Sequence, residues 1–274
     1  MTSIASDPRH VVTFAANEPH LENGIATRYA RTFHLLVAWS EVAAASGSLT
    51  QTAERESFVV LPDVGVELIV GATRVTAPAR SICILPAGAS TIVPSGAGTV
   101  IRLFEPAAEA VASRAINGQE YDRARDDLRP IGKPFRRIGP PGPRVYPLAV
   151  GNGGKPQSFQ TETMSVGWFE QDGPQDPASI FPHAHADFEE GSLMVAGTHM
   201  QHLRTPWGTD LRGWRADEHL RCGPGTLVVI APETVHVAEA VGAEHHALMN
   251  LFAPPRLDHI AKGQIRNADE YASA

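Results

Sequence analysis

The chain has 274 residues, 43% of them apolar and 19% charged, enough for one large domain or two modest ones around a real core. That composition excludes low-complexity disorder, and a net charge of −7 without any basic run argues against a nucleic-acid partner. No stretch approaches the roughly 18 uninterrupted apolar residues of a membrane span, and Met1–Asp7 carries no basic-then-apolar leader, so a cytoplasmic protein without membrane contact is expected. Cys83 and Cys222 cannot build a disulfide framework and are expected reduced and buried.

Short β-branched and apolar runs recur between turn residues along most of the chain. In order they are Ser57–Leu61, Val66–Val70, Ser81–Leu85, Thr99–Phe104, Met164–Phe169, Ser192–Val195, Thr226–Ile230 and Ala247–Phe252. With 24 Gly and 22 Pro around them, they read as the strands of an all-β sandwich or barrel. The clearest helical stretch is Pro106–Leu128, rich in Ala and Arg, and Arg129–Pro156 has the Pro/Gly composition of an extended linker.

An internal repeat organises these runs. Leu103-Phe-Glu-Pro106 is echoed by Leu251-Phe-Ala-Pro254, Asn117-Gly-Gln-Glu-Tyr121 by Asn267-Ala-Asp-Glu-Tyr271, and Ile84-Leu-Pro86 by Ile230-Ala-Pro232, at offsets of 148, 150 and 146. Two copies of one β unit, each closed by a short helical tail, are expected: residues 1–128 and 157–274, joined by the linker 129–156.

Nine of the twelve histidines lie between His183 and His259, in the second copy. His183 and His185 stand at i and i+2, which on an extended strand turns both imidazoles to one face. A carboxylate a few residues on and His236, just past the strand Thr226–Ile230, could complete a set of three imidazoles and one carboxylate, suited to Fe(II), Mn(II), Ni(II), Cu(II) or Zn(II).

At these residues the sequence resembles the cupins. His183-x-His185-(x)4-Glu190-(x)6-Gly197 is similar to the first cupin motif with germin spacing, and Gly225-(x)10-His236 to the frame of the second. The resemblance implies a small antiparallel β-barrel holding one divalent transition metal, Fe(II) first among the candidates, through His183, His185, Glu190 and His236. Glu189 would fit a shorter form of the motif. The sequence departs from it at Pro177, Ala231, Glu233 and Ala240, which alters turns rather than ligands. Laid on the same pattern, the first copy sets Glu56 against Glu190, Leu49 and Gln51 at the two histidine positions and Ser90 at that of His236, a poor transition-metal set. The fold class expected is therefore all-β, two cupin jelly-roll barrels in one chain, with a metal site in the second only. Cupin barrels commonly pair through strand exchange, which leaves a homodimer open.

Other candidates are less constrained. Trp168, Gln201 and Asn250 are set out as pocket residues, each with a bland alternative: a core tryptophan, or polar side chains facing solvent. His199, His202, His219 and His259 lack ligand spacing and read as solvated or core residues, and only one of His245 and His246 can face inward. Four protein ligands leave one or two open positions on a metal, so a small-molecule substrate and metal catalysis are implied. Cupin relatives of this type place a dioxygenase first. A metal-dependent isomerase, lyase or decarboxylase, with His199, Glu233 or Glu189 moving the proton, is the second reading, and a non-catalytic binding or storage protein the third.

Overall fold

The computed structural model describes residues 9–44, 47–106, 112–121, 125–150 and 155–272. All of the expected runs are strands. Ser57–Leu61, Val66–Val70, Ser81–Leu85 and Thr226–Ile230 keep their expected bounds, and the others extend to Gly98–Phe104, Ser165–Asp172, Glu190–Ala196 and His245–Phe252. Of the helix expected over Pro106–Leu128, the described residues hold a 3₁₀ turn at Gly118–Tyr121, while 107–111 and 122–124 lie outside them. No helix among the described residues is long and apolar enough to cross a membrane.

Each half of the chain builds one large and one small antiparallel sheet. In the first half the large sheet runs, in spatial order, Arg144–Pro147, Ser81–Leu85, Ser57–Leu61, Gly98–Phe104, Leu36–Val42, Ile25–Arg31 and His20–Glu22. The small one is Leu49–Ala53, Gly88–Pro94, Val66–Val70 and Thr73–Ala77. In the second half the large sheet is Arg9–Thr13, Thr226–Ile230, Glu190–Ala196, His245–Phe252, Ser165–Asp172 and Gln157–Gln160, and the small one Glu218–Cys222, His199–Arg204 and Val235–Ala240.

The halves exchange edge strands. Arg9–Thr13 pairs with Thr226–Ile230 of the second half, and Arg144–Pro147, within the segment read as a linker, pairs with Ser81–Leu85 of the first. Each exchange covers an edge that would otherwise present unpaired backbone groups. The repeat is also visible in its tails. Asn117 receives the Arg31 N–H on Oδ1 and donates Nδ2 to the Arg31 carbonyl, and Asn267 makes the same pair of bonds to Gln160.

Strand alternation divides the apolar residues among separate cores. Ala30, Val37, Trp39, Phe58 and Leu103 from one large sheet meet Val166, Trp168, Leu193, Val229 and Met249 from the other, a continuous core between the halves. Facing the other way, Leu49, Val59, Leu61, Val66, Leu68, Ile92 and Val100 fill the first barrel. The second barrel has a smaller apolar cluster of Met194, Leu203, Cys222, Val228 and Ile230, and beside it lies a cavity lined by polar and apolar side chains.

Candidate metal centre

His183, His185, Glu190 and His236 converge: one ligand atom from each lies within 4.8 Å of the others. Three separate stretches bring them together. Glu190 opens the strand Glu190–Ala196, on which Glu190, Ser192 and Met194 face inward while Gly191 and Leu193 turn to the other half. His236 follows a tight turn onto Val235–Ala240. The segment of His183 and His185 forms a single bridge rather than the full strand expected: His183 and His236 exchange N–H···O bonds of 3.1 and 2.8 Å. Pro182 has no N–H to extend that ladder.

The turn before His236 explains one departure from the motif. Glu233 adopts φ 66°, the left-handed region that favours glycine, so the glycine expected there has a conformational reason. Its N–H donates to the His185 carbonyl at 2.6 Å, which ties the turn to the ligand segment.

The hydrogen-bond partners set the imidazole tautomers. His183 Nδ1 lies 3.1 Å from the Phe181 carbonyl and His236 Nδ1 2.8 Å from that of Thr234; a carbonyl only accepts, so Nδ1 carries the proton in both. Nε2 of His236 then faces Glu190 Oε2 at 3.2 Å, and His185 Nε2 faces the same oxygen at 2.9 Å. His236 thus has acceptors on both sides, an arrangement that requires either a second ring proton or a cation shared with the carboxylate. Around a six-coordinate ion with bonds of ~2.1 Å, donors are spaced by about 3–4.2 Å, so small side-chain shifts place all four on one ion. The residues fit a divalent metal.

The electrostatics agree. Burial opposes ionisation of Glu190, yet the hydrogen bonds and charges of His185 and His236 outweigh it and hold its carboxyl well below the usual range. Burial lowers His236 as well, but Glu190 reverses the sign and its imidazole is raised. Burial and the neighbouring His236 lower His183. A buried carboxylate kept ionised and surrounded by imidazoles is the electrostatic form of a cation site.

Glu189 is turned away. Its carboxylate accepts from Arg125 Nη1 at 2.9 Å and from the Phe33 N–H at 2.8 Å, both outside the cluster. Glu190→Gln is therefore expected to lower metal content sharply and Glu189→Gln to leave it at the wild-type value; plasma mass spectrometry of both variants checks this, and the reverse pattern overturns the assignment of Glu190.

The cluster opens into a cavity of about 320 Å³. Gln201 and Asn250 both line it, with Ser192 beside Gln201 at 3.3 Å. Trp168, a pocket candidate on sequence grounds, does not. Alternation on Ser165–Asp172 gives Phe169 to the cavity and sends Trp168, 2% exposed, into the core between the halves. His199 and His246, by contrast, line the cavity and are both buried, while His245 is exposed and bonds Asp172. The inward role of His199 was readable only from its shared face with Gln201. His202 and His219 bond each other at 2.6 Å near the surface, and His259 packs against Phe252.

Burial, reinforced by the charge of His246, pulls His199 down to about 4. Between an ordinary imidazole value near 6.5 and that depressed value, the unfolded chain holds a proton that the folded one does not, so stability falls as pH drops through this window. The urea midpoint of wild type is expected to fall more between pH 7 and pH 5 than that of His199→Leu; parallel losses would show that His199 is not buried neutral.

In the first barrel the pairing register corrects the sequence alignment. Gln51 pairs with Ser90 as His183 pairs with His236, so Gln51 and Ala53, not Leu49 and Gln51, stand at the two histidine positions, and the glutamate position moves by one place. Leu103 pairs with Phe58 and its counterpart Leu251 with Gly191, so Ser57, not Glu56, occupies the position of Glu190. Glu56 corresponds to Glu189 and, like it, binds an arginine, Arg144 at 2.6 Å. The counterpart of Asn250 is Arg102, 1% exposed and paired with Glu22 at 2.9 Å.

This fold, two antiparallel barrels back to back in one chain, is that of the bicupins. Its structural neighbours include oxalate decarboxylase from Lactobacillus farciminis in a formate complex (12% identity, TM-score 0.59, 95% of this chain and 92% of that one). They include oxalate decarboxylase OxdC of Bacillus subtilis, in a point-mutant form (11%, 0.59, 96% and 86%). AerE from Microcystis aeruginosa matches at 10% identity and TM-score 0.56 over 86% of this chain and 96% of that one. No protein-family model matches the sequence, and no curated protein does. At these identities the likeness establishes the fold.

Proposed function

We propose that the protein is a metal-dependent bicupin enzyme that acts on a small organic acid, with one divalent transition metal held by His183, His185, Glu190 and His236 and none in the first barrel. The observation that carries the reading is Glu190 Oε2, buried between the Nε2 atoms of His185 and His236 at the wall of the cavity. When bound, the metal supplies Lewis-acid polarisation of a substrate oxygen at its open positions. The protein's own groups do the rest. Ser192, Gln201 and Asn250 orient the ligand beyond the metal end, Phe169 and Leu248 exclude water, and Phe181, stacked 6.1 Å from His183, stands at the cluster. Of the three side chains considered for proton transfer, only His199 lines the cavity; Glu189 is held by Arg125 and Glu233 is exposed. In the first barrel Ser57, Gln51 and Ser90 offer no ionised donor at the corresponding positions, which supports a single site.

A lyase, and decarboxylation in particular, replaces the dioxygenase as the leading reaction class. The Lactobacillus farciminis and Bacillus subtilis neighbours are oxalate decarboxylases, and in the Bacillus subtilis enzyme Mn(II) centres are described. The deciding experiment is metal content of anaerobically purified protein, followed by carbon dioxide release and oxygen uptake with a panel of hydroxy and oxo acids. One metal with carbon dioxide release and no oxygen consumption supports the lyase. Substrate-dependent oxygen uptake would restore the dioxygenase. No metal, even after reconstitution, would overturn the enzyme reading and leave a binding protein.

A further inference from the structure

The cavity continues well past the metal cluster, and His199, His246, Gln201 and Asn250 line its far part. Leu203 pairs with His236, and His199 lies four residues further along the same strand, so at ~3.3 Å per residue the two levels are roughly 13 Å apart. His199 and His246 close that end with ring centroids 5.2 Å apart in a T-shaped contact. Gly197 makes room for the pair, because a Cβ there would sit 2.4 Å from His246 Nδ1. His246 Nε2 is 3.3 Å from the Gly242 carbonyl, which marks it as the protonated nitrogen and leaves Nδ1 as an acceptor.

Three buried polar atoms in this region have no hydrogen-bond partner within the chain: His199 Nδ1, His246 Nδ1 and Asn250 Oδ1. Such atoms cost stability unless something pairs with them. The first barrel shows that the fold does not need a polar side chain at the position of His199. By strand register, Val66 and Leu68 stand where His199 and Gln201 stand in the second barrel, and they pack as apolar core. His199 and Gln201 are therefore an elaboration of the second barrel and not a requirement of the architecture.

Charge narrows the ligand further. No lysine or arginine lines the cavity among the described residues. Glu170, which lines the cavity and pairs with Ala247 beside His246, is neutralised by a two-bond pairing with Arg80. Among the described residues the cavity wall offers no Lys or Arg, so a bound metal would supply the positive charge a ligand meets, and a second carboxylate at the far end would be desolvated without a counter-charge.

We infer that the deep end of the cavity, His199 and His246 with Gln201 and Asn250 on the approach, recognises an uncharged hydrogen-bonding group, so that the substrate is a monoanionic acid with its carboxylate toward the metal and a hydroxyl or similar neutral group about six carbons away, not a dicarboxylate. This substrate class rests on the metal-site reading above. Burial and the adjacent His246 keep His199 uncharged at neutral pH, which agrees with a neutral partner.

The test is isothermal titration of manganese-loaded protein with three acids of equal length: ω-hydroxyhexanoate, hexanoate and adipate. The hydroxy acid is expected to bind at least about tenfold more tightly than either of the others, the size of one well-made buried hydrogen bond. His199→Leu should keep the metal content and lose that preference, and His199→Gln should restore most of it. Retained folding is checked by the metal content of each variant. Equal affinity for the three acids, tighter binding of adipate, binding of none, or an unchanged preference in His199→Leu would each overturn the inference while the metal reading stands. Failure of the wild-type protein to take up manganese, iron or zinc would instead overturn the metal reading and this substrate class with it.

Discussion

Replacing His236 with alanine is expected to abolish stoichiometric metal binding while leaving the barrels folded. The imidazole is 3% exposed and fixed at both ends, with Nδ1 on the Thr234 carbonyl and Nε2 at Glu190. Losing it removes a donor outright and leaves Glu190 with a single imidazole, His185, at hydrogen-bond distance. Disturbing only the hydrogen-bond partner behind a ligand already costs roughly 10–100-fold in metal affinity, so loss of the ligand itself should exceed that range. His183→Ala is expected to do the same. The fold should survive because the apolar core between the halves and the exchanged strands do not involve the cluster. Plasma mass spectrometry, with circular dichroism as the control for folding, checks this. A full equivalent of metal in either variant would show that the four residues are not the ligand set.

The largest effect on stability is expected from Trp168→Ala, at about 3–5 kcal/mol, with metal content unchanged. Trp168 is among the largest fully buried side chains and packs between Val166, Met249 and the facing sheet of the first half. Its deletion would open a cavity in the one core that both halves share, and neither sheet can close it without dragging its exchanged edge strand. The indole Nε1 has no partner within the chain, so no hydrogen bond is lost and the cost is packing. Denaturant midpoints measure the loss. A drop in metal or ligand affinity at unchanged stability would instead return Trp168 to the pocket.

How much of this was legible in the sequence depends on which physical signal each residue carries. Strands were readable because their apolar residues recur in short runs between turn formers, and Ser57–Leu61, Val66–Val70, Ser81–Leu85 and Thr226–Ile230 fall where the runs fall. The convergence of His183, His185, Glu190 and His236 was expected from the resemblance of their spacing to the cupin motifs, with the i, i+2 pair of histidines pointing the same way. Trp168 was not, because a run buried on both faces does not say which face meets the cavity and which the neighbouring sheet. The choice between Glu189 and Glu190 is of the same kind: adjacent residues point to opposite faces, and only the pairing of Gly191 with Leu251 shows which face is inside.

The sequence by itself determined the all-β architecture, a local pattern of side-chain type against strand period, and, through the resemblance to the cupin motif, which histidines gather at the candidate metal centre. Only the tertiary structure decided the rest. Arg9–Thr13 and Arg144–Pro147 cross to the opposite halves, Ser57 stands in the place of Glu190, and His199 and His246 meet at the bottom of a cavity that in the first barrel is filled by Val66 and Leu68. These depend on pairings between residues far apart in the chain, and backbone hydrogen bonds that set such pairings carry no side-chain signature.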